Sequence, residues 1–163
     1  MNIRYIMDSD DRMDISHIYE GSWKFAYKGI VPDEYLDAIE KGRWCGHFKD
    51  PNRLTLLVEE DGKLIGTSSF SKSRYDKWPE AGEIISIYML PEHMKKGYGK
   101  LLMDAVIAEL KGLGYKEIFL WALEENERAR RFYEKYGFEL SEGDLTTCTL
   151  AGKELREVRY VLK

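Results

Sequence analysis

The clearest chemical grouping in the sequence is Met94-Lys95-Lys96-Gly97-Tyr98-Gly99-Lys100. Gly97 and Gly99 lack side chains, so the backbone there can come close to a bulky ligand. The segment lies where the pattern of a strand gives way to that of a helix. The first amides of a helix have no internal acceptor, and with the helix dipole they favour an anion such as phosphate. Lys95, Lys96 and Lys100 add positive charge. Two phosphate motifs are excluded by the residues themselves. A P-loop needs Gly-Lys followed by Ser or Thr, and here Leu101 follows. A dinucleotide fingerprint needs a third glycine where Leu102 stands. A Gly-x-Gly pair also serves as a plain tight turn, so the segment alone leaves both readings open.

Other groupings are weaker. Cys45 and Cys148 are far apart and form no C-x-x-C pair. The histidines at 17, 47 and 93 give no zinc-ligand spacing, so no metal is expected and the cysteines read as reduced structural thiols. The 163 residues suit one domain, 1–163, and 44% hydrophobic with 33% charged residues is the balance of a soluble globular protein. A formal charge of −4 weighs against nucleic acid as a partner and is compatible with a cationic acceptor. No apolar run approaches the roughly 20 residues of a membrane span. The opening MNIRYIMDSDDR is polar and lacks a secretory pattern, so a cytoplasmic location is expected.

The pattern along the chain predicts the elements that must hold these residues. A strand over 2–7 precedes a helix over 11–28 and a second helix over 32–41 that opens on Pro32. Strands over 53–60 and 63–71 flank Asp61-Gly62, a hairpin signal. A loop over 72–80 leads to a strand over 82–90 that stops at Pro91. A helix follows over 97–112, with Leu101, Leu102, Ala105, Val106 and Leu110 at helical spacing. A strand over 116–123, a helix over 126–136 and strands over 138–149 and 154–162 complete the chain. The strand–helix–strand unit from 82 to 122 demands a parallel crossover, whereas the hairpins are antiparallel. Alternation along 82–90 would put Glu83, Ile85, Ile87 and Met89 on one face and Ile84, Ser86 and Tyr88 on the other.

Strand, proline, basic turn, Gly-x-Gly, helix, strand, then Asn126 and Tyr133 make a constellation. It resembles the GNAT superfamily of acyl-CoA-dependent N-acetyltransferases. That family's pyrophosphate motif, Q/R-x-x-G-x-G/A, is matched by Met94 to Gly99. Its N-x-x-A-x-x-x-Y signature is matched by Asn126 to Tyr133, followed by Gly137-Phe138. The resemblance covers essentially the whole chain. It implies an α/β fold of the mixed, α+β kind: a mostly antiparallel sheet of about seven strands with a parallel central pair, flanked by about four helices.

The resemblance also implies roles. Acetyl-CoA is the expected acyl donor, its pyrophosphate on the amides of residues 94–100 and its pantetheine arm along Ile87, Tyr88 and Met89. Met94 replaces the usual glutamine or arginine, and a thioether cannot donate a hydrogen bond. Tyr133 matches the usual general acid, and its phenol is protonated at neutral pH; the plainer reading is a packed aromatic. Glu83 matches the offset of a general base in one branch, where a solvated glutamate or a water relay are the alternatives. Asn126 would contact pantetheine, order a water, or cap a helix.

Trp23 and Tyr27 fall in the helices that line the acceptor side in related proteins. They could enclose an amine by cation–π contact, or simply pack in the core. The expected activity is acetyl transfer to a primary amine of a small molecule. A peptide N-terminal acetyltransferase and a non-catalytic CoA sensor are the alternatives. Dimers are frequent in the family that the sequence resembles, but nothing in the sequence identifies an interface.

Overall fold

In a computed structural model spanning residues 1–163, the chain forms β1 (Asn2–Tyr5), α1 (Arg12–Ala26), α2 (Asp33–Asp37), β2 (Leu54–Glu60), β3 (Lys63–Lys72), β4 (Gly82–Met89), α3 (Tyr98–Gly112), β5 (Ile118–Leu123), α4 (Glu127–Tyr136), β6 (Glu139–Leu150) and β7 (Lys153–Leu162). The seven strands make one sheet in the order β1-β2-β3-β4-β5-β7-β6. Only β4 and β5 run parallel; the other neighbours are antiparallel. The fold class is the one the sequence implies. At the β2–β3 hairpin both Asp61 and Gly62 have positive φ, 50° and 74°. That pair of values gives the turn a twist matching its strands.

Helices cover both faces. Leu102, Met103, Val106 and Leu110 of α3 are buried against Ile84, Ile118, Leu120, Val158 and Tyr160. Each such side chain contributes about 1.5–3 kcal/mol when removed from water. On the other face Ile15 and Tyr19 of α1 and Leu36 of α2 pack on Leu57, Leu123 and Leu155. Beside them the loop after β3 lays Tyr75 and Trp78 over Phe119 and Trp121. The Arg159 guanidinium lies 3.7 Å from the Trp78 ring centroid.

Two details depart from the sequence pattern. The second helix stops at Asp37 rather than 41, because the chain turns to bury Ile39 and Trp44, and a short 3₁₀ helix over Cys45–Phe48 follows. The Trp44 amide donates to Ser16 Oγ at 3.1 Å, which ties this turn to α1.

The second departure bears on function. In β4, Ser86 pairs with Ser69 but Ile84 pairs with Phe70, so Ile85 is an extra residue in the ladder. A bulge of this kind inverts the facing of everything before it. Ile84, Ile87 and Met89 therefore share the α3 face. Ser86 and Tyr88 face α1, where Tyr19 hydrogen-bonds Ser86 at 3.1 Å. Glu83, paired beside Phe119, lies on that face too, not with Ile87 and Met89 as simple alternation predicts. Past the bulge, β4 and β5 part: their pairing is confined to Gly82–Ile84 against Ile118–Leu120.

Candidate active site

The parting of β4 and β5 leaves a cleft of about 480 Å³. Its walls include Ile87, Tyr88 and Met89 from β4, Met94, Lys95, Gly97, Gly99 and Lys100 from the turn, and Asn126 and Tyr133 from α4. Ser22, Ala26 and Tyr27 close it from the α1 side. One opening thus joins both faces of the sheet.

The turn satisfies the physical requirements of an anion site. The Met94 amide donates to Pro91 O and the Leu101 amide to Gly97 O. Between them, the amides of residues 95–100 meet no acceptor in the protein. Free amides at a helix start are where phosphate oxygens bind best. The conformation that exposes them is costly for ordinary residues: Gly97, at φ 86°, caps α3 from the left-handed region, and Lys95 has φ 63°. Lys95 and Lys100 line the cleft, whereas Lys96 does not. Tyr98 turns away, and its hydroxyl donates to Glu60.

Hydrogen-bond direction marks the β4 wall as well. The Leu90 amide turns inward to Ile65 O at 2.9 Å. Alternation then turns the Ile87 and Met89 amides toward the opening. Ser22 Oγ donates to Met89 O at 2.8 Å, which anchors this strand end to α1.

Tyr133 is 9% exposed and packs among Phe132, Phe138 and Tyr160. Its neighbours' hydroxyls are engaged: Tyr136 donates to Asp104 and Tyr160 donates to Glu134. The Tyr133 hydroxyl has no such partner, and the residue lines the cleft. Burial first, and then the Tyr88 phenol, push its pKa well above the ordinary tyrosine value. A phenol held this firmly protonated is a donor, not a base. Asn126 is the N-cap of α4, its side chain accepting from the Ala129 amide at 3.3 Å while also lining the cleft.

The remaining sequence candidates divide. Tyr27 lines the cleft and Trp23 stands behind it, the two rings 4.8 Å apart and nearly perpendicular. Trp23 Nε1 donates to the Tyr88 hydroxyl at 3.2 Å. Burial pushes the Tyr88 phenol up to about 12. Glu83 stays outside the cleft. Its side chain is 1% exposed and tied to Arg74 by Nη2 at 2.7 Å, Nε at 3.1 Å and the Arg74 amide at 3.0 Å. A carboxylate with those oxygens engaged anchors the loop after β3.

Sequence reasoning missed Arg128. Its guanidinium borders the cleft, donates to Met94 Sδ at 2.8 Å and stacks over Phe25 at 5.0 Å. A cation thus stands where Met94 removed a donor. The signal was present: a missing donor at 94 invites a search for a replacement on the facing helix.

Comparison with known proteins bears on the family and the fold. Residues 13–138 match the acetyltransferase (GNAT) family. An uncharacterized N-acetyltransferase of Bacillus subtilis, YuaI, is 28% identical over 151 residues, covering 91% of this chain and 86% of that protein. The spermidine N(1)-acetyltransferase of Thermoplasma acidophilum is 24% identical, covering 83% and 86%. The Salmonella typhimurium protein yncA, solved with its cofactor acetyl-CoA, shares the fold with a TM-score of 0.75. It is 21% identical over 99% of this chain and 92% of that one.

Proposed function

Because the chain belongs to the acetyltransferase (GNAT) family, we propose that it transfers an acetyl group from acetyl-CoA to a primary amine of a small molecule, by direct attack with both substrates bound. The observation that carries this reading is one cleft lined by Lys95, Gly97, Gly99 and Lys100, from a turn whose amides are unpartnered, and by Tyr133, whose hydroxyl is unpartnered.

Bound acetyl-CoA supplies the activated thioester. The amides of residues 95–100 hold its pyrophosphate, with Lys95, Lys100 and Arg128 adding charge. Arg128 takes the part that a donor at position 94 plays in the family motif. The Ile87 and Met89 amides, turned to the opening, pair with the pantetheine arm, and Asn126 borders the same path. The Met89 amide stands as the donor for the carbonyl oxygen as charge develops there. Tyr133 gives its proton to the departing sulfur. Tyr27, backed by Trp23, forms the wall where the acceptor enters.

The test has two arms: acetyl-CoA binding by calorimetry, and thiol release on a panel of small amines and an N-terminal peptide. Binding together with small-amine turnover is the expected result. Turnover on the peptide alone would move the acceptor class to protein N-termini. Binding without any turnover, unchanged in Tyr133→Phe, would make the protein a CoA sensor.

A further inference from the structure

We propose that Glu157 is the carboxylate that receives the acceptor, holding the ammonium of the incoming amine and taking its proton before transfer. The proposal rests on the acetyltransferase reading and adds the group on the acceptor side that the reading lacks.

Position comes first. Side chains alternate along β7: Val158 and Tyr160 pack with α3 and α4, while Leu155 packs with α1 and Arg159 with Trp78. Glu157 therefore faces α1 and the loop after β3. In register it stands opposite Leu123. Leu123 belongs to the cluster against which Tyr27 and Tyr88 pack, and those two tyrosines line the cleft. The charge of Glu157 is felt at Tyr27, Tyr75 and Tyr88, raising each phenol, and at Cys148 on β6.

The second observation is the lack of neutralisation. Each nearby cation is engaged elsewhere. Lys153 pairs with Glu125, Arg156 with Glu124, Arg159 with Glu117 and Asp144, and Arg74 with Glu83. The Glu157 side chain makes no ion pair or hydrogen bond within the protein, although it is partly buried. A carboxylate partly withdrawn from water, with no partner in the protein, is open to a cationic ligand. On the same face, Trp121 Nε1 is buried and also unpartnered, its ring 5.6 Å from that of Tyr75. Tyr27, Tyr75, Tyr88 and Trp121 thus put aromatic surface on the same face as one unpaired carboxylate, a combination suited to an organic cation.

The chemistry follows. Burial raises the Glu157 carboxyl above the usual carboxylate range, with Arg74 acting in the opposite sense. A carboxylate poised in this way is a better proton acceptor. The ammonium loses one proton to Glu157, and its lone pair attacks the thioester carbon. The C–N bond forms and the C–S bond breaks. Tyr133 protonates the sulfur and recovers its proton from the new amide nitrogen, and Glu157 releases its own to solvent.

The experiment uses the full chain with acetyl-CoA and spermidine, tyramine, glucosamine, lysine and an alanyl peptide as acceptors. Glu157→Gln is expected to lower kcat/KM on the order of 100-fold for each accepted amine. The acetyl-CoA dissociation constant should stay within about twofold. The acidic limb of the pH–rate profile, where protonated Glu157 cannot accept, should disappear, and Glu157→Asp should restore part of the rate. The groups facing Glu157 (Tyr27, Arg74, Tyr75, Tyr88 and Cys148) remain in every variant. Near-wild-type kcat/KM in the Gln variant overturns the proposal. So does loss of acetyl-CoA affinity in that variant, which marks collapse of the cleft. A wild type that binds acetyl-CoA yet acetylates none of these amines also overturns it, while leaving a donor site in place. A wild type that fails to bind acetyl-CoA removes the acetyltransferase reading itself.

Discussion

The two walls of the cleft are made of different material. The donor wall is backbone: amides 95–100, the Ile87 and Met89 amides, and Gly97 at positive φ. The proposed acceptor side is side chains drawn from distant places: Tyr27 just after α1 and Tyr88 from β4 line the cleft, and Tyr75 from a loop, Trp121 from β5 and Glu157 from β7 lie on the same face of the sheet. A backbone site demands particular residues at consecutive positions, so it holds one cosubstrate across many sequences. A side-chain site can be rebuilt one residue at a time, which suits the half of the reaction whose substrate varies.

Tyr133 stands between the walls and carries the largest expected effect. Tyr133→Phe removes one oxygen and keeps the packing against Phe138 and Tyr160. It should lower kcat by on the order of 100-fold or more, with little change in acetyl-CoA binding. Steady-state thiol release beside calorimetry separates the two. A rate within threefold of wild type would make the phenol a packing element and leave the donor wall without its proton.

The second effect falls on the acceptor side's framework. Arg74→Ala strands the carboxylate of Glu83, which is 1% exposed, with only the backbone amide for a partner. Orphaning a fully buried charge costs about 3–5 kcal/mol. Arg74 itself is 53% exposed, so about 2 kcal/mol is expected from urea unfolding. A loss below about 0.5 kcal/mol would return Glu83 to the list of free carboxylates that could act in catalysis.

A smaller effect tests whether the donor wall is truly backbone. Arg128→Ala should weaken acetyl-CoA binding about tenfold, the value of one charge-assisted contact. Lys95→Ala and Lys100→Ala should cost only about two- to threefold each, since exposed cations contribute little. Lys100 also already faces Asp104 at 2.8 Å. If either lysine outweighed Arg128, the replacement of a position-94 donor by Arg128 would be wrong.

The same contrast governs what the sequence revealed. The Gly97 turn, the Asp61-Gly62 hairpin and the α3 stripe are local, so residue type and spacing disclosed them. The bulge at Ile85 is not local. It exists only as a mismatch between β4 and β3, and nothing in the run GEIISIYML announces it. Strict alternation therefore put Glu83 on the wrong face. The second helix is shorter than its local pattern for a related reason: burial of Ile39 and Trp44 overrides that pattern. Arg128 sits inside the Asn126–Tyr133 motif at a position the motif leaves open. Glu157 sits in a strand whose alternation is ordinary, and becomes notable only once each neighbouring cation has found another partner.

The smallest effect separates the two acidic side chains of the acceptor face by sign. Glu83 is neutralised and Glu157 is not, so the same substitution should act oppositely on stability. A carboxyl whose folded pKa is raised contributes stability at acid pH, and that contribution is lost as pH rises through the folded value. Glu157 is such a group, so its charged form opposes folding near neutrality. Glu157→Gln should leave the melting temperature unchanged below the ordinary glutamate pKa of about 4.3 and raise it by a few degrees at pH 8. Glu83→Gln should lower it at pH 8, because Arg74 loses its carboxylate. A Glu157→Gln variant that melts lower than wild type at pH 8 would mean that the carboxylate has a stabilising partner, and would remove the ground for assigning it to the acceptor. A variant that is more stable and slower would show a group kept for the reaction at the expense of the fold.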